Sequence, residues 1–160
     1  MIRDVKVSDA KAILEIYSYY VINTIVSFEL VPPSLGYMEE KIGSSEFPWL
    51  VYEEQGQVIG YSYATSWKAR EAYKNSVETS VYLSNVARGR GIGKKLYDEL
   101  LSILKQQGYH MIIGGISLPN EASVKLHESL GFQYVGAFKE VGHKFGEWVD
   151  VGYWQLHFEE

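Results

Sequence analysis

The 160-residue sequence has no cysteine, a deficit of positive charge and no apolar run of membrane-spanning length. Without cysteine there is no disulfide, no thiolate zinc site and no thiol nucleophile, so any group transfer proceeds without an acyl-cysteine intermediate. Fifteen Lys plus Arg against twenty Asp plus Glu leave a formal charge of -5, and the long-range field repels polyanions. A general nucleic-acid binder is therefore disfavoured. The most hydrophobic early stretch, "IYSYYVINTIVSF", is interrupted by Ser and Asn, and "MIRDVKVSDAK" lacks the apolar core of a signal peptide. The expectation is a soluble cytoplasmic protein with no membrane partner.

What the chain does contain, 46% hydrophobic and 22% charged residues, suits one globular domain over residues 1–160. That length buries a core without metal or disulfide support. "IRDVKV" alternates Ile2, Val5 and Val7 with polar residues, predicting a short strand, and Ser8 with Asp9 offers an N-cap to the helix that follows. In that helix Ala12, Ile13, Ile16, Tyr17 and Tyr20 recur at three and four. Pro32 and Pro33 mark entry to a second, short helix over about Ser34 to Ile42. "WLVYEE" and "VIGYSYATSW" read as a hairpin, and "SVETSVYLS" as a further strand rich in β-branched residues.

From Ile92 the period changes. Leu96, Leu100, Ile103 and Leu104 form a helical face that ends before Gly108. "YHMIIGGISL" has strand length, Asn120 opens a helix that Gly131 ends, and "FQYVGAFKEV" and "WVDVGYWQLHF" are two last strands separated by "GHKFGE". The order is β-α-α-β-β-β-α-β-α-β-β, a mixed α/β chain without repeats.

The densest cluster of glycine and positive charge, "ARGRGIGKKL", sits where a strand gives way to a helix. It is not a phosphate loop of the G-x-x-x-x-G-K-[ST] type, because Arg88 and Lys95 stand where glycine and a hydroxyl are required. Nor does it match G-x-G-x-x-G, since Gly89, Gly91 and Gly93 are spaced two and two. What remains is a helix N-terminus with glycines that admit close backbone approach, which is an anion seat by its unpaired N–H groups and dipole. A merely solvated turn is the competing reading.

"RGRGIG", Arg88 to Gly93, matches the [Q/R]-x-x-G-x-[G/A] signature of the GNAT N-acetyltransferases, and "NEASVKLHESLGF" resembles a second segment of that superfamily. "PWLV", "WKAREAY", "VETSVYLS" and "GHKFGEWVDVGYWQ" extend the likeness to its phosphinothricin and methionine sulfoximine acetyltransferase branch. The resemblance implies a mostly antiparallel central sheet flanked by helices (α/β, or α+β), a homodimer, and transfer of acetyl from acetyl-CoA to a small-molecule primary amine. It also implies that backbone groups of Val81, Tyr82 and Leu83 pair with the pantetheine arm. Arg88, Gly89, Arg90, Gly91, Ile92, Gly93 and Lys94 would bind the pyrophosphate, with Asn120 and Ser129 as later coenzyme A contacts.

Amine attack on a thioester needs a base, and Glu78, in an otherwise apolar strand where desolvation raises proton affinity, is the candidate. The alternative is an outward-facing residue paired with a cation. Alternation places Glu78, Ser80 and Tyr82 on one face, and Val77, Thr79, Val81 and Leu83 on the other. His127 replaces the tyrosine usual in the superfamily, either as donor of a proton to the leaving thiolate or as a structural histidine. Asn120 serves as a helix N-cap, a cofactor contact or both. Arg70 suits a carboxylate, with Trp67, Tyr73 and Phe28 as pocket walls, and the resemblance adds Lys68, Ala69, Arg70, Glu78, Thr79 and Ser80 as acceptor contacts. His110, His143 and His157 share no ligand spacing, and no metal is expected. Other readings are acetylation of a peptide terminus or a polyamine, and a non-catalytic acyl-CoA sensor.

Overall fold

The structure is a computed structural model that describes residues 1–159. Its elements are β1 (Ile2–Asp4), α1 (Ala10–Asn23), α2 (Leu35–Gly43), β2 (Trp49–Glu54), β3 (Gln57–Ser66), β4 (Ser76–Leu83), α3 (Ile92–Gln106), β5 (Met111–Leu118), α4 (Glu121–Ser129), β6 (Gln133–Lys144) and β7 (Glu147–His157). This is the order the periodicities predict. The strands form one seven-stranded sheet in the order β1-β2-β3-β4-β5-β7-β6. Its pairings are antiparallel except that of β4 with β5.

Strand alternation sends side chains to two helical layers. Leu50, Ala64, Val77 and Ile112 pack beneath α3. Trp49, Val51 and Tyr61 pack on the opposite face against Ile13 and Ile16 of α1 and Met38 and Ile42 of α2. In α3, Ile92, Leu96, Leu100 and Leu104 follow a four-residue spacing and are essentially inaccessible to water. Ser34 caps α2, its Oγ accepting from the Tyr37 amide at 3.1 Å. Among the described residues no helix is long and apolar enough to cross a membrane.

Three local expectations are corrected. β1 stops at Asp4, and Val7–Asp9 form a single 3₁₀ turn, so the strand does not reach Val7. Asp9 caps that turn rather than α1: its carboxylate accepts from the Lys6 amide at 2.8 Å and takes two bonds from the Arg3 guanidinium at 2.8 and 2.9 Å. Arg3 also reaches Glu53 at 3.1 Å, which ties β1 to the end of β2. The last correction is the connection between β6 and β7, which is Phe145–Gly146 rather than the six residues of "GHKFGE". Both residues have positive φ, 54° and 74°, as a two-residue hairpin turn with the twist of the flanking strands requires. Further back, β6 is irregular between Phe138 and Gly142, where Glu140 has φ 54° and its amide donates to the Asp150 carboxylate at 2.8 Å.

The hydrogen bonds from Arg3 hold the Asp9 carboxyl below its ordinary pKa, against the opposing effect of burial. A depressed folded pKa contributes stability above the unfolded value, and that stability is lost as pH falls through the folded one. Asp9→Asn is therefore expected to cost about 2 kcal/mol at pH 7. In denaturant melts the gap between native and variant should narrow with acidification; a gap that stays constant from pH 7 to pH 3 contradicts the assignment.

Candidate active site

The site begins with a gap in the sheet. β4 and β5 each have eight residues, yet they pair only where Ser76, Val77 and Glu78 face Met111, Ile112 and Ile113. Beyond that point β4 stays with β3 through Leu83 and β5 stays with β7 through Leu118, so the two central strands part into a wedge. The inner edge of Val81–Leu83 has no strand partner. Of its acceptors, the Leu83 carbonyl is taken by the Tyr20 hydroxyl.

At the open end of the wedge lies a cavity of about 550 Å³ lined by Val81, Leu83, Arg88, Gly89, Gly91, Gly93, Lys94 and Asn120. Gly89 and Gly91 hold positive φ, 71° and 75°, and Gly91 is the N-cap of α3. No side chain caps that helix, so its first-turn amides open onto the cavity unbonded. This is the donor set an anion requires. The four cations around it divide. Arg88 lies over the Tyr19 and Tyr20 rings, 5.0 and 5.3 Å from their centroids, and Lys94, on the cavity wall, pairs with Asp98 at 3.1 Å. Arg90 is drawn away by Glu54 at 2.6 Å and does not line the cavity, and Lys95 is exposed. Ile92 is buried in the core, which leaves only its backbone facing the seat. Asn120 caps α4, its side-chain oxygen accepting from the Ser123 amide at 3.2 Å, and also lines the cavity. Ser129 does not reach it; its hydroxyl donates to the Leu126 carbonyl at 2.7 Å.

A second cavity, about 620 Å³, opens on the other face of β4 and is lined by Glu78, Ser80, Tyr82 and Phe28. The alternation along β4 thus sorts the two sites: one set of side chains faces this cavity, and Val81 and Leu83 face the other. Glu78 is half-buried, and burial pushes its carboxyl pKa up against the opposing pull of the Lys68 ammonium. Tyr63 shares this cavity with Glu78 and Glu29, and burial pushes its phenol up to about 12. Glu29, Tyr17, Tyr63 and Tyr153 also line this cavity; Tyr153 falls in the segment "GHKFGEWVDVGYWQ", and the other three lie outside the sequence motifs.

Thr79 is turned away. It is 4% exposed and belongs to the α3 side of the sheet, where its hydroxyl faces Tyr97. Lys68, Trp67 and Tyr73 wall an adjoining groove that shares Tyr153 with the Glu78 cavity; Lys68 stands 5.1 Å over the Trp67 ring. Ala69 and Arg70 are exposed on the same loop and line neither space. His127 lies at the closed end of the wedge against Gly114, 4% exposed and outside both cavities. Its Nδ1–H donates to the Ser123 carbonyl at 2.7 Å, which leaves Nε2 as the acceptor for the Tyr97 hydroxyl at 3.4 Å. Burial, which disfavours the charged ring, pushes the imidazole pKa down against the opposing effect of the Ser123 bond. The geometry supports the structural reading of His127. Among the described residues no group of three acidic, His or Cys side chains is placed to hold a metal ion.

Comparison with known proteins agrees with this arrangement. Residues 2–152 match the acetyltransferase (GNAT) domain family. A phosphinothricin N-acetyltransferase of Streptomyces viridochromogenes is 39% identical over 99% of this chain and 87% of its own length. An L-methionine sulfoximine/L-methionine sulfone acetyltransferase of Pseudomonas aeruginosa is 35% identical over 99% of this chain and 94% of its own. Among solved structures, a phosphinothricin acetyltransferase from Sinorhizobium meliloti in complex with acetyl-CoA superimposes with a TM-score of 0.93, 38% identity and coverage of 98% and 87% of the two chains. An acetyltransferase from Salmonella typhimurium, solved with its cofactor acetyl-CoA, gives a TM-score of 0.97 at 33% identity, with coverage of 100% and 94%. With its parted β4–β5 pair and glycine-started α3, the chain belongs to the GNAT acetyltransferase family.

Proposed function

We propose that the chain transfers acetyl from acetyl-CoA to the primary amine of a small amino-acid analogue of the phosphinothricin or methionine sulfoximine class, directly and in a ternary complex. The observation that carries this reading is the sorting along β4. Consecutive residues of one strand line an anion seat on one face and a carboxylate-bearing cavity on the other, and the two spaces flank the same short stretch of backbone. Donor and acceptor can therefore be held together. The lack of cysteine excludes a relay through an acyl-cysteine.

Acetyl-CoA, when bound, supplies an activated acyl thioester and a thiolate leaving group. The chain's own residues do the rest. The first-turn amides of α3 with Arg88 and Lys94 hold the diphosphate, and the unpaired edge of Val81–Leu83 receives the pantetheine arm. Glu78 takes the proton from the acceptor ammonium, a task suited to a carboxylate whose proton affinity burial has raised. No Lys or Arg lines the Glu78 cavity, and Glu29 adds a second carboxylate, so the amine end of the acceptor belongs there. An acceptor carboxylate belongs in the adjoining groove beside Lys68. A second reading, a polyamine acceptor, is favoured by the same pair of carboxylates.

Thiol release from acetyl-CoA distinguishes these readings when phosphinothricin, methionine sulfoximine, methionine sulfone and a polyamine are offered in parallel. Turnover with the amino-acid analogues is expected. Turnover with the polyamine alone replaces the first reading by the second, and release no faster than background with every amine removes the acetyltransferase assignment.

Glu78→Gln should lower kcat about 100-fold or more and abolish the acidic limb of the kcat/KM profile. Its effect on stability has the opposite sign. A carboxyl whose folded pKa is raised binds its proton more tightly in the native state, so stability declines as pH rises from the unfolded pKa through the folded one. The glutamine variant escapes that decline and should melt higher than the native protein at pH 8. Unchanged turnover and an unchanged melting temperature together contradict the role given to Glu78.

A further inference from the structure

The connection between α1 and α2 walls both cavities without regular structure of its own. Val26, Ser27, Phe28 and Glu29 line the Glu78 cavity. Most of the polar bonds that hold this segment are local. Thr24 returns to the Tyr20 carbonyl at 2.8 Å, the Val26 amide donates to the Thr24 hydroxyl at 3.1 Å, and the Tyr17 and Ser27 hydroxyls share a bond of 2.7 Å. These tie the segment to α1 and to itself. They do not fix it against the sheet.

Two features of the β6–β7 hairpin do. Lys144, at the last position of β6, is 3% exposed, and its ammonium donates to the Ser27 carbonyl at 2.6 Å across 117 residues of sequence. Among the described residues it is the one polar tether from the sheet to residues 24–31. A lysine is almost never this buried unless its charge is engaged, and Lys144 meets no carboxylate within bonding distance. Glu29 adds a favourable charge farther off, and the Phe145 ring lies 5.1 Å from Nζ. The second feature is Gly142. A Cβ there would lie 2.4 Å from the Phe28 ring, so the ring occupies the place of the missing side chain. The irregularity of β6 between Phe138 and Gly142 brings this backbone to the ring.

We propose that Lys144 and Gly142 are positioning residues for the amine acceptor: the Lys144–Ser27 bond and the Phe28–Gly142 contact clasp the α1–α2 connection to the β6–β7 hairpin and fix the wall of the Glu78 cavity. The proposal rests on the reading of that cavity as the acceptor site. Phe28 and Glu29 flank Ser27 directly, so loss of the bond frees the apolar wall and the second carboxylate together. The acetyl-CoA side depends on the clasp far less, because Tyr20 and Thr24 are anchored to α1 and to Leu83.

The test compares Lys144→Met, which keeps the length of the side chain and removes its donors, with Gly142→Ala, which drives a methyl group into the Phe28 ring. Each is read in two ways. The first is steady-state kinetics with separate KM values for amine and acetyl-CoA. The amine KM should rise about tenfold, while that for acetyl-CoA stays within about threefold. The second is amide hydrogen exchange without any ligand, which should speed up at Val26–Glu29 in both variants and stay unchanged in the core of α3. Equal rises in the two KM values, or unchanged exchange at Val26–Glu29, overturn the proposal. Should Lys144→Met fail to fold, Gly142→Ala decides alone by the same criteria. If the native protein acetylates no amine, the acceptor reading fails separately, and exchange still decides whether the clasp exists.

Discussion

Two parallel strands of eight residues can share a ladder along their whole length, and β4 and β5 give theirs up after three positions. The parting leaves backbone donors and acceptors without a strand partner in the middle of a sheet, where each such group is costly to leave unpaired. A fold retains that cost only when neighbours hold the strands apart. Here β4 is pinned by β3 on one side and β5 by β7 on the other, with the Tyr20 hydroxyl closing the Leu83 carbonyl. The buried hydroxyl of Ser84, at the end of the open stretch of β4, has no hydrogen-bond partner among the described residues. The wedge is a polar slot built into an apolar domain.

Everything around the slot takes its place from β4. Its two-residue period sends Glu78, Ser80 and Tyr82 to one cavity and Val81 and Leu83 to the other, so one strand sets the relation between the carboxylate and the glycine-lined seat. α3 starts a few residues later with a glycine in a left-handed conformation, and its first turn lines the same cavity as Val81 and Leu83. Because β4 lies in the centre of the sheet between two apolar clusters, it is among the most constrained backbone in the molecule. That is the rigid support a base and its substrate need.

The sequence made the strand and helix order legible because most elements carry a clean period, and the glycine-rich start of α3 was legible because glycine chemistry is local. The failures were non-local. Arg90 looks like one more cation for the anion seat until Glu54, 36 residues upstream, captures it. His127 sits in a motif that suggests proton transfer, yet Tyr97 and Phe132 pack around it and it lines neither cavity. Thr79 belongs to the correct strand but the opposite face, as alternation itself foretold. Glu29 and Tyr63 come to line one cavity only through tertiary folding, and no short-range pattern marks them. The six residues of "GHKFGE" read as a loop from composition, whereas pairing with β7 extends β6 through Lys144 and leaves two residues for the turn.

The central claim is that the gap between β4 and β5, with the start of α3, is where the acyl donor sits. A crystal structure of the protein with coenzyme A tests it most directly. The diphosphate should rest on the backbone amides of Gly89–Lys94, with the pantetheine arm along Val81–Leu83. A diphosphate seated elsewhere, such as the hollow of about 370 Å³ beside Ala12, Gln57 and Asn85, contradicts the account.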